Sequence, residues 1–223
     1  MAASQTFKPS VHGFPFPNWY PPGTPVISVR TPFGTILLGD ANGGVCGGMV
    51  FAAADLFHHA AEVPREPLPT VFKYFCTRLL DSWQLPFGAF KYYDWQRRPT
   101  ASRTWTGVKL VDGTSYLTLT FEWPKVRARL DAGLLAPLGL VKAHGLDPRH
   151  MGHHHQVLAY AYEMNGEAVT LRVYDPNYPG DDACTLSFVT TNPDRANLIT
   201  HSCEGPSIRG MFSVEYVPRE VTF

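Results

Sequence analysis

The sequence predicts an α+β protein, with helical patterns in its first half and strand patterns in its second. Three observations carry this. Apolar residues recur at helical spacing along residues 46–61 and 68–83. From residue 134 onward, short runs rich in β-branched and aromatic residues are separated by turn signals. Between two of those runs stands Asn165-Gly166, a strong short-range hairpin signal.

The elements follow in order. Residues 1–25 are rich in Pro, Phe, Trp and Tyr and read as an extended arm laid over the body, because disordered segments are poor in aromatics. Val26 to Ile36 reads as one or two short strands, punctuated by Pro32 and Gly34. The first helix opens at Cys46 and runs to about Ala61, with Met49, Val50, Ala53 and Phe57 on one face. His58 and His59 fall near its end, where imidazoles suit the helix dipole. Leu68 to Trp83 forms a second helix, with Pro67 and Pro69 near its start, as the first turn tolerates. Phe87 to Gln96 gives a third, and Glu122 to Ala132 a fourth, ended by Gly133. Leu134 to Val141 is an apolar strand. Strands at 155–163, 168–175, 184–190 and 197–203 come next, and a last one covers Gly210 to Val217. With no internal repeat and no low-complexity linker, residues 1–223 read as a single domain. A mainly helical lobe over 26–133 precedes a mainly β lobe over 134–223.

Composition narrows the function. Of 223 residues, 44% are hydrophobic, enough for a real core. Nineteen basic and nineteen acidic residues balance, with no basic patch or charge run, so a nucleic-acid partner is not expected. No apolar stretch approaches the roughly 20 residues of a membrane span. The N-terminus lacks the basic start and apolar run of a secretory signal. The expectation is a soluble, cytoplasmic protein with no membrane partner. Cys76 lies in an apolar helix pattern and reads as core. Cys184 and Cys203 lie in segments flanking a turn at 192–195 and would face each other if those segments pair; free thiols are expected there.

The segment of greatest chemical interest is Gly43-Gly44-Val45-Cys46-Gly47-Gly48-Met49, four glycines around one cysteine at the start of a helix. The partial positive charge of a helix N-terminus favours the reactive thiolate form. Glycines let a substrate backbone approach closely. Downstream, His155 opens one strand of the Asn165-Gly166 hairpin and Asp175 closes the other. In an antiparallel pair those ends are neighbours, so Asp175 can orient the imidazole. A thiol with a base, and a base with an orienting acid, is the general arrangement for an activated nucleophile.

These three pieces, Cys46 before a helix in "GGVCGGMVFAA", His155 in "HHQVLAYAY" and Asp175 in "LRVYDPNYP", resemble the papain-like cysteine peptidase superfamily. The bacteriocin-processing-peptidase-like branch is the nearest in pattern, and phytochelatin synthases have a similar order and spacing. The resemblance spans roughly residues 40–180. It implies a papain-like fold, with the Cys helix in a helical lobe, an antiparallel sheet lobe, and a cleft between. It also implies Cys46 as nucleophile, His155 as general base and acid, and Asp175 as the orienting acid. The family usually carries a Gln six residues before the Cys, donating to the oxyanion; here that place holds Asp40. An ionised Asp accepts hydrogen bonds only. Asn42 or the N–H groups of Cys46 and Gly47 are the alternatives for oxyanion support, or hydrolytic activity is lost while the fold remains. Gly44, Gly48, His154 and Asn177 are the expected substrate contacts.

His150, His153, His154 and His155 form a cluster that could bind metal. Consecutive strand residues point to opposite faces, and Cys76, Cys184 and Cys203 show no Cys-x-x-Cys spacing. No metal and no cofactor are therefore expected. The reading is a thiol hydrolase that cleaves or transfers an amide or peptide acyl group, with a peptide or amide-containing small molecule as partner. The alternatives are a non-catalytic peptide-binding module and a small-molecule amidase or acyltransferase, with a metal or redox protein as a third class.

Overall fold

The strand-rich half of the chain forms one seven-stranded sheet, with helices packed on both of its faces. The computed structural model describes residues 6–31, 34–41, 44–83, 87–106, 108–147 and 152–223, with no side chains described at 27–31, 34–40 and 87–89. A short helix, α1 (Pro9–His12), is followed by a separate hairpin of β1 (Pro25–Thr31) and β2 (Gly34–Asp40). Helices α2 (Cys46–His58), α3 (Pro69–Trp83) and α4 (Phe87–Arg97) come next. A second hairpin, β3 (Arg103–Trp105) and β4 (Val108–Val111), leads to α5 (Thr114–Leu117), a wider turn of helix over Thr118–Glu122, and α6 (Trp123–Asp131). The sheet contains β5 (Ala136–Val141), β6 (His155–Asn165), β7 (Ala168–Tyr174), β8 (Thr185–Val189), β9 (Ile199–His201), β10 (Gly205–Ile208) and β11 (Gly210–Ser213). Their spatial order is β10-β9-β8-β7-β6-β5-β11, antiparallel throughout.

Alternation along the strands builds two cores. Val157, Ala159, Leu171 and Val173 face one side and pack with Trp123 and Val126 of α6. Leu158, Tyr174, Val141 and Phe212 face the other and pack with α2, α3 and the N-terminal arm. Tyr160 is an extra residue in β6, a bulge between Ala159 and Ala161 that shifts the alternation, so Tyr162 returns to the first face. Helix α6, expected in the helical lobe, thus packs on the sheet, and hydrophobic packing crosses the expected division at residue 133. Within the described part of the N-terminal segment, Phe7, Phe14 and Tyr20 are buried. Its short helix and the exposed β3–β4 hairpin were not anticipated.

Helix α2 is buried from Gly47 to Leu56. A Cβ at Gly48 would lie 2.0 Å from Phe75 O, so glycine is what lets α2 lie directly on α3. Asp55, fully buried in α2, is held by Arg78 at 2.7 Å, by the hydroxyls of Tyr74 (2.9 Å) and Tyr216 (2.8 Å), and by the Arg219 N–H (2.9 Å). A buried charge persists only when partnered in this way. This ion pair anchors the far half of α2 and leaves its N-terminus at the start of β6.

Candidate active site

Helix α2 begins at Cys46, and its first α-helical bond is Met49 N–H to Val45 O at 3.0 Å. The N–H groups of Cys46, Gly47 and Gly48 therefore precede the helix ladder, at the end carrying partial positive charge. A Cβ on Gly47 would meet Ser82 Oγ at 2.3 Å and Gln156 Oε1 at 2.8 Å, so glycine lets the helix start settle onto β6 and α3. Gly44 takes φ +82°, in the left-handed region, with Asn18 against it. The Asn18 side chain is a clamp. Its Oδ1 accepts the Val45 N–H at 2.6 Å and its Nδ2 donates to Asn177 Oδ1 at 3.1 Å. Asn18 N–H also donates to Pro176 O at 3.0 Å. The arm thereby fastens the loop before Cys46 to the loop after Asp175.

The hairpin register brings the two expected strand ends together. Leu158 pairs with Tyr174, the last residue of β7, and His155 opens β6 three residues earlier. His155 and Asp175 are both buried. His155 Nε2 lies 2.7 Å from Asp175 Oδ1, which leaves Nδ1 for the Cys46 thiol beside the ring. The Asn177 N–H donates to the same carboxylate oxygen at 2.8 Å. On the other oxygen, His201 Nε2 is 3.1 Å away. His201 Nδ1 accepts the Cys203 N–H at 3.1 Å, so its ring proton sits on Nε2 and donates to Asp175. One carboxylate thus carries two imidazoles and one backbone N–H.

The electrostatics follow from that arrangement. Burial alone would push the His155 imidazole down. The Asp175 carboxylate, the Cys46 thiol and the hydrogen bonds to both outweigh it and raise His155 from 6.5 to about 10. Burial likewise disfavours the Asp175 carboxylate, but His155, His201 and the Asn177 N–H hold it well below the usual carboxylate range.

The neighbouring His154 has a different fate. It faces α4, stacked on Tyr92 at 5.1 Å. Its Nδ1 accepts the Lys142 N–H at 3.3 Å, and its Nε2 is 3.1 Å from Gln96 Oε1. Gln96 spends its amide N–H groups on Gly145 O and Asp147 O, which fixes its oxygen toward His154. Both His154 nitrogens serve the fold, and desolvation, helped by His153 and Arg209, lowers its pKa to about 4. His154 and Gly48 were expected to touch substrate. The first is committed to Gln96 and Lys142, and the second is buried under α3. Asn177 is exposed and tied to Asn18.

Of the expected oxyanion group, Gly47 is at the helix start, Asp40 ends β2 opposite Pro25, and Asn42 lies outside the described residues. Two contributors were missed. His201 sits in a three-residue strand with no pattern to single it out, and Asn18 is one polar residue in a Pro-rich arm. No described helix is long and apolar enough to cross a membrane. Comparison with protein-family models, curated proteins and solved structures gives no match.

Proposed function

We propose that the protein is a papain-like thiol enzyme that cleaves or transfers the acyl group of an amide or peptide bond, with Cys46, His155 and Asp175 as its catalytic residues. The observation that carries this reading is the chain of contacts from the buried Asp175 through the buried His155 to a half-buried cysteine at a helix N-terminus. An imidazole raised to about 10 carries its proton at neutral pH; the proposed attacking state sets a Cys46 thiolate beside it.

Cys46 Sγ attacks the carbonyl carbon and the C=O electrons move onto oxygen. The oxyanion meets the N–H groups at the start of α2, those of Cys46 and Gly47. Collapse breaks the C–N bond, and the leaving amine takes the proton from His155 Nδ1. Water or a second amine then attacks the thioester with His155 as base. Asp175 stays ionised and holds the ring through Nε2. An Asp at position 40 supplies no amide donor. One missing oxyanion donor costs about 10²–10³ in rate, so a slow enzyme is expected.

The test is iodoacetamide labelling of Cys46 at pH 6, followed by peptide mass spectrometry, in wild type and His155→Ala. A thiol with the ordinary value near 8.5 is under about 1% thiolate at that pH. Labelling in wild type should be on the order of 10²-fold faster than in His155→Ala. Equal rates would overturn the assignment and leave a peptide-binding module as the better description.

A further inference from the structure

The two cysteines that spacing alone dismissed as metal ligands meet at a third ligand. Strand β8 pairs with β9 with Leu186 opposite His201, and Ser202 N–H donates to Thr185 O at 3.0 Å. The turn that follows His201 brings Cys203 near Cys184. Both are free thiols. Cys184 Sγ is 3.4 Å from His201 Nε2, and the ligand atoms of Cys184, His201 and Cys203 all lie within 4.8 Å of one another. Around a tetrahedral zinc with bonds of about 2.0–2.3 Å, ligand atoms are spaced roughly 3.3–3.8 Å apart. The Cys184–His201 pair already has that spacing, and the exposed Cys203 has only a short distance to close. Asp181 Oδ2 lies 3.8 Å from Cys203 Sγ.

We propose that Cys184, His201 and Cys203 form a binding site for a soft divalent cation of the zinc or cadmium class. Two thiolates and an imidazole are the donor set such ions prefer over magnesium or calcium. On binding, two metal–sulfur bonds replace two S–H bonds and two protons leave to solvent. For the metal to take Nε2, the His201 ring proton moves to Nδ1, and the Cys203 N–H that donates to Nδ1 in the empty site turns away. Nε2 is the nitrogen donating to Asp175 Oδ2, so the ion would sit directly behind the carboxylate that orients His155. This last consequence rests on the proposed thiol centre; the site itself does not.

Full-length Cys46→Ser protein, with all thiols reduced, is titrated with Cd²⁺ and cadmium–thiolate absorption is followed. Removing Cys46 keeps the proposed nucleophile from contributing. One Cd²⁺ per chain is expected, with apparent affinity falling at least tenfold in added Cys203→Ser or His201→Ala and lost in Cys184→Ser. Cys203 is exposed, so its variant should keep the fold even if that of the buried Cys184 does not. Absence of stoichiometric uptake, or uptake unchanged by Cys203→Ser, would overturn the proposal. Neither outcome depends on whether Cys46 is catalytic.

Discussion

His154 and His155 are adjacent in the chain and opposite in chemistry. The first faces an amide oxygen and a backbone N–H, with no carboxylate among its described partners, and burial drives its pKa down to about 4. The second faces Asp175 and rises to about 10. Both are desolvated, so burial does not separate them. What separates them is a partner: a buried imidazole follows desolvation when its neighbours are neutral dipoles and reverses when a carboxylate adjoins it. Strand alternation deals the two residues to different faces, and only one face carries the end of β7.

Removing Asp175 should break this difference most completely. Below pH 6.5, the unfolded value for histidine, the folded state gains the full benefit of the His155–Asp175 pair. That benefit is lost as pH rises toward the folded value of about 10. Wild-type stability should therefore decline over this window, and the decline should vanish in Asp175→Asn. Breaking a buried pair costs about 3–5 kcal/mol, and labelling of Cys46 at pH 6 should drop on the order of tenfold or more. Urea denaturation at pH 6, 8 and 9.5, with labelling of the folded fraction, reads both. A variant with an unchanged pH limb would mean that Asp175 does not hold the His155 charge.

The His154 side should respond with the opposite sign and a smaller size. A depressed imidazole stabilises the fold above pH 6.5, and that stability is lost as pH falls from 6.5 to about 4. The side chain is only partly buried, so solvent screening leaves roughly 2 kcal/mol of the effect. His154→Gln should flatten the acid limb of a melting-temperature profile between pH 6.5 and 4 while leaving Cys46 labelling within about twofold. A large drop in labelling would instead return His154 to the substrate surface, where the sequence reading had put it.

How far the sequence could be read follows from the range of the forces involved. Local signals served well: Asn165-Gly166 does turn β6 into β7, and the glycine-flanked Cys46 does begin a helix. The register of that hairpin put His155 and Asp175 together before any tertiary information was needed. His201 was invisible because its strand is three residues long and its role depends on β8 lying between it and β7. The same crossing hid the Cys184–His201–Cys203 cluster, although the proximity of the two cysteines could be read from the turn between them. Gly48 shows a related limit. A glycine needed for close helix packing and one needed for substrate approach look alike until the neighbour, here Phe75, is known.

Asn18 gives the mildest test, because it acts on both loops without touching the imidazoles. Its amide spans from Val45 N–H to Asn177 Oδ1, and Asn177 in turn donates its N–H to Asp175. A single net hydrogen bond contributes about 0.5–1.5 kcal/mol, so Asn18→Ala should cost on the order of 1–2 kcal/mol. The kinetic consequence is more specific. Freeing the loop before Cys46 widens the range of thiol positions without altering the His155–Asp175 pair. Labelling at pH 6 should slow a few-fold while the stability decline above pH 6.5 keeps its wild-type shape. Asn18→Asp, which keeps the Val45 acceptor but loses the donor to Asn177, should fall between the two. If Asn18→Ala removed the pH limb as Asp175→Asn is expected to, the arm would be setting the charge of the site and not only its geometry.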